Sequence, residues 1–328
     1  MSTASALLAH ELRPKILERR ARLRTAACFA SAESIEDLLA EVDAALEKID
    51  NGSYGLCETC QDWIEPDRLE RNPLERFCLD HLSAAELRAH EQDLSLASQI
   101  QARLLPAREM RYREWETHYR YEPAGAVSGD YCDIAGLDEG KSLFFAVGDV
   151  AGKGVAASLL MTHLSAIFRS LLSLELPLVE VMSRANRLFC ESTPATHYAT
   201  LAAGRTTEGG VELCNAGHCR PLVLRRKGIE RVEATGLPLG LFCEGRYTTR
   251  NLRLDPGDGL VLYSDGITEA QNPDGHSYDE ERLIGALEGH AAQDPATLAG
   301  DVLRDVARFR RSAPQQDDVT LLIVRRQG

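Results

Sequence analysis

Apolar residues change their rhythm near Arg111, and the chain divides there into two textures. Before it the period is helical. Residues 7–27 read as a helix kinked at Pro14, whose basic side chains, Arg13, Lys15, Arg19, Arg20, Arg22 and Arg24, form a solvated face. Ile35, Leu38, Leu39, Val42, Leu46 and Ile49 recur at the spacing of a second helix, with Ser34 and Asp37 as a capping box and Asn51-Gly52 as its stop. Together they predict an antiparallel hairpin in which each helix buries its apolar stripe. A further helix opens at the capping box Ser83-Ala84-Ala85-Glu86 and ends at Pro106. Leu87, Leu94, Ala97 and Leu104 take heptad seam positions along it, interrupted by His90 and Gln101, so a short coiled coil and a homodimer are expectations.

After Arg111 the runs are short. Strands are expected over 113–121, 131–134, 143–147, 199–205, 211–215, 221–224, 247–254, 260–263 and 319–324, with helices over 155–174, 178–189, 278–287 and 295–311. Strand runs broken by helix pairs predict an α+β fold: two antiparallel sheets packed face to face with helices outside, an αββα sandwich. The expected organisation is a helical hairpin with a small metal module over 1–82, a helical linker over 83–106 and the sandwich over 107–328.

Three of the buried-strand patterns carry carboxylates at one end. The run 143–147 leads to Asp149 in Gly148-Asp149-Val150-Ala151-Gly152-Lys153-Gly154, the run 260–263 leads to Asp265-Gly266, and Asp317-Asp318 precede the last strand. One such Asp is an ordinary acidic turn. Three whose ends meet would gather like charges, and a cation must then hold them.

Composition narrows the classes. A net charge of -13, from Asp+Glu 50 against Lys+Arg 37, disfavours a general nucleic-acid or anionic-membrane binder and suits a carboxylate cluster. No basic-then-apolar signal opens the chain and no run approaches bilayer length, which predicts a cytoplasmic protein. Nine Cys, an odd count, point to thiols and metal ligands in a reducing compartment. Cys57-Glu58-Thr59-Cys60, then seventeen residues, then Cys78-Leu79-Asp80-His81 has the spacing of a structural zinc site, with Cys57, Cys60, Cys78 and His81 as four ligands and no open position.

Two resemblances follow. The stretch from Ile49 to Cys60, with Trp63-Ile64, Arg68-Leu69-Glu70 and Asn72-Pro73, resembles the TraR/DksA-type zinc finger over residues 33–82. Members of that family bind RNA polymerase, which the resemblance implies as a partner; His81 in place of the usual last Cys and the lack of an acidic tip motif imply equally a recruited structural or interaction module. Residues 98–106 resemble the linker before SpoIIE/RsbU-type phosphatase domains, which implies dimerisation and relay of an input domain's state. Val127-Ser128-Gly129-Asp130-Tyr131-Cys132-Asp133, Gly148 to Gly154, Asn215-Ala216-Gly217-His218, Gly236-Leu237-Pro238-Leu239-Gly240, Ser264-Asp265-Gly266-Ile267-Thr268-Glu269-Ala270 and Asp317 to Leu322 stand in the order of that branch of metal-dependent serine/threonine phosphatases, over residues 98–326.

The resemblance implies roles. Asp149 would bridge two divalent ions, with the Val150 carbonyl on the second; Asp265 and Asp317 would be further ligands of the first ion, and Asp130 would hold metal-bound waters. Asp133 and Asp318 each lie beside a better match. Asp149 and Asp130 would thus carry catalysis, and an oxygen-only set selects Mg²⁺ or Mn²⁺. The implied substrate is a phosphoserine or phosphothreonine on a bacterial regulatory protein, an anti-sigma-factor antagonist. The other reading is a transcription-associated scaffold docked on RNA polymerase with an inactive phosphatase domain. No His follows Asp149; His163 is expected to pack in its helix, His197 and His218 to lie at loops or strand ends, His218 in a structural role, and Lys153 to be solvated or to attract phosphate. A last expectation is regulatory: the zinc module's state, whether metal-bound, oxidised at Cys57, Cys60 and Cys78, or partner-bound, sets the linker register and second-metal occupancy.

Overall fold

The computed structural model describes residues 3–26, 32–81, 84–137, 141–194, 196–289 and 293–327. The chain divides into two units, Met1–Asp93 and Leu94–Gly328. In the first, helices α1 (Thr3–Ala26) and α2 (Ala32–Asn51) form the expected hairpin. Ala9, Leu12 and Ile16 lie one turn apart on α1 and bury against Val42, Ala45 and Leu46 of α2. Ion pairs Arg13–Asp50 (3.1 Å) and Arg20–Asp43 (2.7 Å) fix the antiparallel direction. Pro14 sits inside α1, and the helix continues through it. Because α2 begins at Ala32, Ser34 and Asp37 fall within it and not ahead of it; their side chains, like Ser83, lie outside the described residues. A short α3 (Pro66–Arg71) and a 3-10 turn (Leu79–His81) complete the unit, and Tyr54, Ile64, Leu69 and Leu74 extend the hairpin's core.

Helix α4 (Ala84–Leu104) is unbroken, and the division between units falls inside it. Gln101, expected as a flaw in a coiled-coil seam, is instead buried: its Nε2 donates to Ser128 O at 2.6 Å, and its Oε1 accepts from Ser128 N at 2.9 Å.

The second unit is the predicted sandwich. One sheet contains β1 (Glu109–Tyr112), β2 (Trp115–Glu122), β7 (Leu222–Arg225), β8 (Gly228–Arg231), β10 (Gly259–Tyr263) and β11 (Val319–Arg326), in the order β1-β2-β11-β10-β7-β8. The other contains β3 (Asp130–Leu137), β4 (Ser142–Val150), β5 (Ala199–Thr207), β6 (Gly210–Ala216) and β9 (Arg250–Arg253), in the order β3-β4-β5-β6-β9. Alternation along β4 shows the layering: Leu143, Phe145 and Val147 enter the core between the sheets, whereas Phe144, Ala146 and Val150 bury against α5 (Gly154–Leu172) and α6 (Leu178–Ser192). A one-turn helix α7 (Asp265–Thr268), then α8 (Asp279–Glu288) and α9 (Pro295–Arg310), cover the outer face of the first sheet.

Three expectations are corrected here. The strand expected over 113–121 is β2, starting only at Trp115 because Arg113 takes a left-handed turn (φ 50°), and β1 ahead of that turn is a strand the reading lacked. Helix α5 is long and apolar enough by length and composition to cross a membrane, contrary to the expectation that no run approaches this; its Met161, Leu164, Phe168 and Leu171 face pack onto the second sheet. Cys190 and Cys243 form a disulfide, contrary to the expectation of thiols and metal ligands in a reducing compartment. The last turn of α6 meets the 240–245 loop there, held by the Asn186 amide, which donates to Phe242 O and Cys243 O and accepts from Gly240 N.

Candidate active site

Strand polarity gathers the carboxylates. In the antiparallel pair β3–β4, Asp130 stands directly opposite Asp149. Both share strand parity with the residues that face the other sheet. In the first sheet β10 ends where β11 begins, Tyr263 pairing with Leu321, so Asp265 and Asp317-Asp318 occupy one end. Thr320 Oγ1 ties the sheets together there, donating to Asp130 Oδ2 at 2.5 Å. Ser264 keeps the β10–α7 turn against β11: its N donates to Thr320 O (3.0 Å), and its Oγ accepts from Thr320 N (2.9 Å). Gly266 is required by contact, since a Cβ on it would lie 1.9 Å from Asp318 O.

Like charges opposed across a strand pair are unfavourable, and the groups register it. Burial, then Asp265, Asp317 and Asp318, push the Asp149 carboxyl up to about 7. Burial also raises Asp130, against the hydrogen bond from Thr320, and burial followed by Glu269 and Asp317 raises Asp265. Gly129 leaves a cradle at this point: a Cβ on it would sit 3.4 Å from Val150 O and 3.5 Å from Asp149 Oδ1. Lys153 Nζ contacts Asp317 Oδ2 and Gln316 O, both at 2.9 Å. Asp130, Asp149, Asp265 and Asp317 offer oxygen donors alone, the chemistry that a hard divalent cation takes.

Two neighbours have other duties. Asp318 accepts from Ala124 N (2.7 Å) and Gly129 N (2.8 Å), so it fastens the loop that leads to Asp130. Asp133 is three residues from Asp130, hence on the opposite face of β3, where it pairs with Arg169 and accepts from Tyr131 Oη (3.0 Å). The structure therefore brings together Asp130, Asp149, Val150, Asp265 and Asp317, with Asp318 as their anchor, and leaves Asp133 out. Thr320, Ser264 and Gln101 are positioning residues the sequence reading missed; the parity of β11 was the one signal for Thr320.

Residues 139–327 match the family model for stage II sporulation protein E (SpoIIE). The chain belongs to the SpoIIE family. It is 27% identical over 269 residues to Protein IcfG of Synechocystis sp., which covers 71% of this chain but 41% of IcfG. With Phosphoserine phosphatase RsbU of Bacillus subtilis it shares 26% identity over 242 residues, 72% of this chain and 70% of RsbU. The SiaA-PP2C domain of Pseudomonas aeruginosa has the same fold, with a TM-score of 0.64 at 19% identity over 74% of this chain and 98% of that domain.

His163, His197 and His218 each meet a hydroxyl and not one of these carboxylates, although His218 reaches Thr200, the residue opposite Asp149. His163 Nε2 lies 2.6 Å from Ser192 Oγ and stacks on Phe189; His197 Nδ1 lies 3.0 Å from Thr196 Oγ1. His218 is buried at the end of β6, its Nδ1 2.8 Å from Thr200 Oγ1, and its backbone is held by the Asn215 amide on both sides. Burial lowers its pKa to about 4. Sign follows directly: a base whose pKa falls on folding contributes full stability above its unfolded value near 6.5 and loses it as pH drops toward 4. The unfolding free energy from urea titrations should fall over that window, by at most about 3 kcal/mol from this residue, and His218→Gln should flatten the slope. An unchanged slope would show that His218 is not the acid-labile group.

In the first unit, Cys57, Cys60, Cys78 and His81 place four ligand atoms within 4.8 Å of one another. Cys60 and Cys78 sulfurs are 3.7 Å apart, close to the roughly 3.8 Å edge of a tetrahedron with Zn–S bonds of about 2.3 Å. The first knuckle is closed by Cys57 N donating to Asp62 O and Gln61 N to Cys57 O, the second by His81 N to Cys78 O. Glu58, between Arg76 and Lys48, locks the knuckle to α2; those cations hold its carboxyl down at about 2.

Proposed function

We propose that the unit 94–328 is a metal-dependent protein phosphatase acting on phosphoserine or phosphothreonine. The observation that supports this is the gathering at one end of the sandwich of Asp130 and Asp149 from one sheet and Asp265 and Asp317 from the other, near enough for Asp149 to feel the latter two. Asp149 would bridge two Mg²⁺ or Mn²⁺ ions, with Val150 O, Asp265 and Asp317 as further ligands and Asp130 oriented by Thr320. Bound there, the ions supply a nucleophile at neutral pH and neutralise phosphoryl charge. The chain's share is to hold four carboxylates at fixed positions while keeping them accessible from the end of the sandwich. Gly266 lets the turn after Asp265 pack against Asp318, and Asp318 holds the loop that leads to Asp130.

RsbU, a phosphoserine phosphatase by name, supports a phosphorylated regulatory protein as substrate, of the anti-sigma-factor-antagonist kind. The four-ligand cluster of the first unit would hold a structural Zn²⁺, and the continuous α4 supports control of the phosphatase by that module. The complete carboxylate set gives no support to the inactive-scaffold reading. Docking on RNA polymerase and dimerisation form no part of the proposal. The test is hydrolysis of a phosphoserine peptide by the full chain against Mn²⁺ concentration, before and after zinc removal. Mn²⁺-dependent release of phosphate is expected, with a changed rate once zinc is lost; no release at any Mn²⁺ concentration would overturn the reading.

A further inference from the structure

We propose that Lys153 is a built-in counter-cation of the carboxylate centre, which holds Asp317 while no metal is bound, yields when metal arrives, and then holds the phosphoryl oxygens of the substrate. The inference rests on the two-metal reading above. Its basis is a single set of contacts. Among the described residues, Lys153 is the cation ion-paired within the set Asp130, Asp149, Asp265 and Asp317, with Nζ 2.9 Å from both Asp317 Oδ2 and Gln316 O.

One ammonium engages one of the four carboxylates, so the other three remain to take a divalent ion. The ion and the ammonium cannot share Asp317 at contact distance, because two cations side by side in a partly buried site repel. Lys153 has the freedom to leave. Its side chain is 69% exposed, and its neighbours Gly152 (φ 116°) and Gly154 (φ 72°) stand in open space, with nothing within 4 Å of a Cβ on either. It also has somewhere to go. Lys153 is the N-cap residue of the 19-residue α5, so the released ammonium stays at the mouth of the centre beside backbone N–H groups that favour an anion.

Competition and substrate contact predict opposite shifts in one variant, which a merely structural ion pair would not produce. The experiment uses the full-length chain as wild type, Lys153→Met and Lys153→Arg, with thermal melts to confirm equal folding. Mn²⁺ is titrated calorimetrically without phosphate, and inorganic phosphate is then titrated into the Mn²⁺-saturated protein. Lys153→Met should bind Mn²⁺ about three- to tenfold more tightly and inorganic phosphate about three- to tenfold more weakly, with Lys153→Arg within about twofold of wild type in both. Unchanged or weaker Mn²⁺ binding by Lys153→Met, or unchanged phosphate binding, overturns the proposal while the two-metal reading stands. A wild-type chain that binds no Mn²⁺ overturns both.

Discussion

Asp149→Asn should abolish hydrolysis of a phosphoserine peptide, lowering the initial rate by at least about a thousandfold at saturating Mn²⁺, while the sandwich stays folded. Asn keeps the shape of the side chain but cannot bridge two cations as a carboxylate does. Asp149 stands at the centre of the cluster: it faces Asp130 across the β3–β4 pair and feels Asp265, Asp317 and Asp318 from the other sheet. The same substitution should stabilise the metal-free protein. An acid whose pKa is raised on folding, here to about 7, contributes its stability below the unfolded value of 3.8 and loses it as pH rises through 7. Metal-free wild type should therefore soften between pH 4 and 7 by on the order of 2–4 kcal/mol from this group, and the Asn variant should not. Added Mn²⁺ should reverse the softening in wild type alone. A variant whose rate stays within tenfold of wild type would remove Asp149 from the centre.

Zinc removal should unfold the first unit and spare the second. Cys57 and Cys78 are themselves core residues, packed with Tyr54, Ile64, Leu69 and the hairpin stripe, so losing the ion cuts the bonds that tie the two knuckles together inside a small core. Structural zinc supplies about 10 kcal/mol or more of folding free energy to modules of this size, and few such cores survive its loss. Hydrogen exchange on the full chain after chelation should show protection lost across residues 3–81 and kept in β4 and β5, which are buried on both faces. Cys78→Ser should reproduce the pattern without chelator. Protection intact across residues 3–81 in protein shown by metal analysis to lack zinc would reduce the cluster to an incidental grouping.

Much of this was legible in the sequence because it is local. Knuckle ligands come in pairs with two residues between them, and each candidate Asp adjoins an apolar run whose end can be read directly. Side-chain face is less easily read. Asp130 and Asp133 differ by an odd offset, so they must part company in a strand, and the period-two rule applied to β3 would have separated them. What stayed hidden depends on partners far along the chain. Gln101 looked like a flaw in a heptad because its partner, Ser128, lies beyond the helix; Cys190 and Cys243 meet only through the packing of α6 on a distant loop. Short edge strands such as β8, paired with its neighbour β7 across a tight turn, were missed for a different reason: little apolar content marks them.

The Gln101 amide has a consequence for how information could travel. Its donor and acceptor grip the Ser128 peptide as a neighbouring strand would, two residues ahead of Asp130. Such a grip has one angular setting: sliding the helix by one residue turns its surface by about 100° and swings the amide away. The last turns of α4 and the segment that carries Asp130 are thereby latched in a single register, as a key is by its ward.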